Sequence, residues 1–130
     1  MKDKIYTARV PLYHVKFAWS HSIEALEKEF DIKPNDDDVY DDYSAFVTRR
    51  DNTIIMWLPH DKNYTVAIPH LCHESFHAAM MLSQMVGIHT NVNDDEAGAY
   101  LAEWFSGTVL DFVHEASMVN KQKKEPKDKK

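Results

Sequence analysis

The sequence predicts an α+β domain in which a small, mainly antiparallel sheet packs against a two-helix hairpin. Three observations point there. Residues 4–19 and 44–58 are rich in β-branched and aromatic side chains with partial alternation, the pattern of half-buried strands. Two longer stretches, from about Tyr64 or Ile68 to Val86 and from about Asp94 to Met118, carry apolar residues at helical spacing. Between them lies only a short break beginning at Gly87, so the second helix must fold back against the first.

Taken in order, residues 4–19 read as one extended strand, interrupted or at an edge near Pro11, which cannot donate to a ladder. Ser22 is a good N-cap for a helix whose stripe is Ile23, Leu26 and Phe30, and that helix must stop before Pro34. Residues 34–43 form a charge-dense connection. Its run Asp36-Asp37-Asp38 invites a calcium reading, but the central Gly and terminal Glu of an EF-hand loop are missing, so a solvated loop is expected. Residues 44–50 and 53–58 then read as an antiparallel hairpin turning at Asp51-Asn52. The next helix has Pro69 in its first turn, where proline is tolerated. With Leu71, Cys72, Phe76, Ala79 and Met80 spread around it, this helix is expected to be buried nearly all round. The last helix should bury Leu101, Trp104, Phe105, Thr108 and Phe112, and fray beyond Val119. The expected organisation is therefore one domain over residues 1–119 with a disordered basic tail over 120–130.

Composition narrows the function. A chain that is 44% hydrophobic and 28% charged fits a water-soluble domain, and it holds no apolar run of membrane-spanning length. The N-terminal residues lack the apolar core of a signal peptide, and one cysteine, Cys72, excludes an internal disulfide; both lead to the expectation of a cytoplasmic protein. Residues 121–130 hold six Lys against Glu125 and Asp128, a net +4, which leaves −10 of the formal −6 on residues 1–120. So acidic a body argues against nucleic acid or a membrane surface as partner.

The chemistry sits at His73-Glu74-Ser75-Phe76-His77. On a helix, His73 and His77 share a face and can reach one tetrahedral metal ion, while Glu74 beside them can take a proton from a water that the metal activates. With eight His in the chain, a chance match to His-Glu-x-x-His has odds of roughly 3 in 100, so context must decide. His114-Glu115 lacks a second His and reads as structural. A zinc hydrolase needs a third protein ligand and an open fourth position. Glu96, 19 residues beyond His77 in the first turn of the next helix, is the candidate.

A His-Glu-x-x-His helix followed about 20 residues later by a Glu on the next helix resembles the gluzincin arrangement. The stretches His73–Ile88 and Asn93–Trp104 resemble, more closely, a group of small phage-encoded proteins with the same two helices. The resemblance covers about residues 53–110. It implies a minimal zincin-like fold with zinc held by His73, His77 and Glu96, Glu74 as general base, and a peptide or protein as substrate. It also implies a host cytoplasm if the chain is phage-encoded. The larger gluzincins add a helical subdomain whose Tyr or His groups serve the transition state, and this chain is too short to hold one.

Other readings of the same residues stand beside these. His73 and His77 could be core histidines bonded to backbone, although that leaves Glu74 and Glu96 unexplained. Glu96 could be the N3 residue of a capping box opened by Asn93, and Asp94 or Asp95 could be the ligand instead. Tyr100, one turn after Glu96, is the catalytic candidate for stabilising an oxyanion, with His70 and His89 as weaker ones. Cys72 reads as a small core residue, and Trp19, Trp57 and Trp104 as core. The expected function is zinc-dependent peptide hydrolysis; the alternative is a non-enzymatic phage or host-interaction protein in which the same ligands close a structural zinc site. For the enzyme, Thr53–Leu58, which precedes the motif helix, is expected to be the edge strand that aligns an extended substrate.

Overall fold

The computed structural model describes residues 4–32, 45–59 and 66–124. The acidic run Asp36–Asp38, the connection after Pro59 and the last six residues lie outside them.

The segment expected as one interrupted strand is a hairpin. Strands β1 (Ile5–Val10) and β2 (Val15–Ser20) pair antiparallel, from Ile5 opposite Ser20 to Val10 opposite Val15. Pro11 opens the turn instead of breaking a strand, and Leu12 and His14 within it stand at φ 75° and 55°. Leu rarely takes that left-handed region, so nothing in the composition announces the reversal. Helix α1 (Ile23–Phe30) begins as expected, with the Ser22 hydroxyl accepting from the Ala25 N–H at 3.2 Å. Strands β3 (Phe46–Arg50) and β4 (Thr53–Trp57) form the expected hairpin, with Asp51 at φ 53° in its two-residue turn.

The four strands make one sheet in the order β1-β2-β4-β3. Two pairings are antiparallel; β2 and β4 run parallel, with Lys16 opposite Thr53 and Ser20 opposite Trp57. The parallel pair requires a crossover, and α1 and β3 lie in it. At the far end, the Asn52 side-chain amide donates to the His14 carbonyl, and the Lys16 N–H donates to the Asn52 carbonyl at 3.0 Å. The two hairpin tips are thereby tied together.

Alternation sorts the sheet into two faces. Phe17 and Trp19 on β2, with Ile54 and Met56 on β4, join a core shared with α2 (Ile68–Val86) and α3 (Glu96–Lys124). Phe105 meets Phe17 edge-on at 4.9 Å, and Tyr6 stacks on Trp19 at 4.6 Å with Phe112 against it at 5.1 Å. Buried side chains of this size each contribute roughly 1.5–3 kcal/mol by leaving water. Ala18, Ile55 and Leu26 are buried outside that core, and α1 packs on β2 and β4, so the first helix covers the opposite face. The α+β class, the mainly antiparallel sheet and the covering role of α1 all agree with expectation.

Two helix expectations need correction. Helix α2 is not buried all round: Leu71, Glu74, Ser75, Ala78, Ala79, Leu82 and Ser83 face inward, while Ile68, Cys72 and Phe76 form an exposed ridge one turn apart. Helix α3 extends to Lys124, past the expected end at Met118. Between them Gly87, at φ 79°, ends α2, with its N–H and that of Ile88 both donating to the Ser83 carbonyl. The chain then closes a tight turn in which Asn91 and Asp94 exchange backbone hydrogen bonds.

Candidate functional site

Helix geometry delivers what the spacing predicts for the histidines. His73 and His77 stand one turn apart on the exposed flank of α2, with their Nε2 atoms 3.1 Å from each other and their rings at 74°. Two nitrogens bound to one tetrahedral zinc at about 2.0–2.1 Å each are roughly 3.3–3.4 Å apart. The pair is therefore within a few tenths of an ångström of a shared two-donor arrangement. The same spacing also suits a direct hydrogen bond between one ring N–H and the other ring nitrogen. The core-histidine reading does not fit, because the His73 side chain is 66% exposed.

Glu74 is on the inner side of the same turn. Its side chain is 10% exposed, and one carboxyl oxygen lies 3.9 Å from His73 Nε2. Burial pushes its carboxyl above the ordinary value of 4.5, against the opposing pull of His73, His77 and His70. A carboxyl so placed adjoins the pair of nitrogen donors, within reach of a proton on a water held between them.

These three residues line one wall of a cleft of about 480 Å³ whose other side is Ala45, Phe46 and Val47 at the start of β3. Met80, Met81 and Gln84 extend its helical wall. They follow His77 at i+3, i+4 and i+7, a signal present in the sequence; the β3 wall has no such local signal, because it depends on sheet order.

The other named residues stand apart from this cluster. Among the described residues no group of three or more His, Cys, Asp or Glu side chains converges as a metal site. Gly98 stands close to Met80, one turn beyond His77, and to Thr90. Glu96 is the first residue of α3, with the Asp95 carbonyl accepting from the Ala99 N–H at 2.9 Å. It is thus N1 and not N3, which removes the capping-box reading with Asn93. Tyr100 is 64% exposed and lines a separate cavity beside the β1–β2 turn. His89 lines a small recess at the end of α2, and His70 stays exposed near Glu74. Cys72 is exposed, not a core residue. No helix among the described residues is long and apolar enough to cross a membrane.

In comparison with known proteins, no family model, no curated protein and no solved structure matches the chain.

Proposed function

We propose that the chain is a metal-dependent hydrolase that cuts a peptide bond, with zinc the ion its donors suit. The observation that carries this is the joint placement of two imidazoles 3.1 Å apart and a buried carboxyl 3.9 Å from one of them, all facing a single cleft. His73 and His77 would hold the metal, which would supply a more acidic bound water and a polarised carbonyl. Glu74, beside them, would accept a proton from that water on a carboxyl oxygen and hand it to the leaving amine. Glu96 is kept as the third donor to be tested, since its helix packs against α2.

The substrate strand needs reassignment. Strand β4 lies between β2 and β3, so it offers no edge to an extended peptide, and the docking role expected of it is lost. Strand β3 is the outer strand on that side, and its first residues border the cleft. A peptide paired along Val47–Arg50 would run beside the imidazoles, and this supports a peptide as substrate.

The non-enzymatic reading draws on the same internal β4 and on Glu96 and Tyr100 standing apart from the pair. Its structural-zinc form has less support, since such sites are closed by four protein ligands and this pair is solvent-facing. The test is cleavage of a mixed-sequence peptide library by zinc-loaded protein, read by mass spectrometry. Wild type should generate new termini, and Glu74→Gln should take up zinc equally while losing about 100-fold or more of the rate. Equal cleavage by the two proteins would end the hydrolase reading.

A further inference from the structure

A second cavity, of about 680 Å³, lies between the β1–β2 turn and the outer face of α3, away from the histidine pair. Its walls are aromatic and apolar: Tyr13 and Leu12 from the turn, Tyr100 and Trp104 from the helix. Its charged groups, Glu103 and Asp111, are both exposed, and neither forms an ion pair among the described residues. Among the described residues no Lys, Arg or His lines it.

Leu12 adds an independent observation. It is 90% exposed and held at φ 75°, a conformation that is costly for a branched side chain. A leucine that gains nothing from burial within the chain, kept in a strained turn at the mouth of an aromatic groove, is what a contact surface requires. Gly107 lies in the same wall, and a Cβ there would meet nothing within 4 Å, so the groove floor is open.

From this composition we infer that the groove docks a segment of a partner protein in which basic side chains alternate with apolar ones. The apolar side chains would pack on Leu12 and Tyr100. A guanidinium or ammonium would lie over the Trp104 or Tyr13 ring with Glu103 or Asp111 beside it, where cation–π attraction and ion pairing reinforce each other. An acidic or purely apolar segment would leave both carboxylates unpaired.

The probe is an N-acetylated, C-amidated hexapeptide of alternating leucine and arginine, with a control carrying glutamate in place of arginine. Each is titrated into the full-length protein and followed by 1H–15N NMR. The basic peptide should bind saturably and shift Leu12, Tyr100, Gly107 and the Trp104 indole, and the acidic control should not bind. Glu103→Lys with Asp111→Lys should weaken binding about tenfold or more. Two variants keep the fold while altering the surface. Gly107→Leu fills open space on a helix that prefers leucine, and Leu12→Asn places a residue suited to the left-handed turn; both should unfold at or above the wild-type temperature yet bind poorly. Equal binding of the two peptides, shifts centred on His73 and His77, absence of binding at millimolar peptide, or shifts explained by self-association of the protein would each overturn the proposal.

Discussion

Glu74 concentrates the chemistry of the molecule in one side chain. It occupies a core-facing position of α2, yet its neighbours one residue back and three residues on are solvent-facing imidazoles. Desolvation wins over their attraction and raises the pKa of the folded state above the unfolded value of 4.5. Above pH 4.5 the folded protein therefore holds this proton more tightly than the unfolded chain does. In the metal-free protein, the stability tied to this group is complete below about pH 4.5 and is lost as pH rises through the raised folded value. Glu74→Gln removes the titration, so the metal-free variant should gain stability over wild type between pH 4 and pH 7. Thermal unfolding of both proteins across that range checks this, and a variant no better matched to pH 7 than wild type would count against it. The residue pattern His-Glu-x-x-His was legible because helix geometry is local. The exposure of Cys72 and Phe76 was not, because a second apolar stripe on a helix looks the same in sequence whether it faces a core or water.

At the scale of elements, the helices show where local rules sufficed. Ser22 caps α1 as its type dictates, and Asp51-Asn52 turns the second hairpin. The first hairpin was missed because its turn relies on Leu12 at a positive φ, held in place by the tie between Asn52 and His14 across the sheet. Helix α3 outlasts its apolar periodicity because Lys121, Lys123 and Lys124 are themselves good helix formers. Two glycines in α3 separate propensity from packing. Gly107→Ala should stabilise the protein by about 0.5–1 kcal/mol, since the added methyl enters open space. At Gly98 a Cβ would stand 3.1 Å from Thr90 Cγ2 and 3.2 Å from Met80 Cε, so crowding between the two helices should offset that gain. Urea unfolding of the two variants should give clearly different midpoints; equal gains would mean that the α2–α3 contact is looser than described.

For the molecule as a whole, the α+β class could be read from periodicity, whereas strand order could not, and the order decides the site. The parallel pairing of β2 with β4 puts β4 inside the sheet and β3 at its margin, so the strand bordering the His-Glu-His cleft is not the one that precedes the motif helix in sequence. A trace of this was present: Phe17-Ala18-Trp19 and Ile54-Ile55-Met56 are continuous apolar runs, as strands covered on both faces tend to be. If His73 and His77 hold a metal as proposed, the zinc content of purified protein will show it. Wild type should bind about one zinc per chain, and His73→Ala and His77→Ala should each abolish binding. Glu96→Gln should weaken it sharply if Glu96 completes the set. Wild-type protein that takes up no zinc even when the metal is supplied would contradict the account.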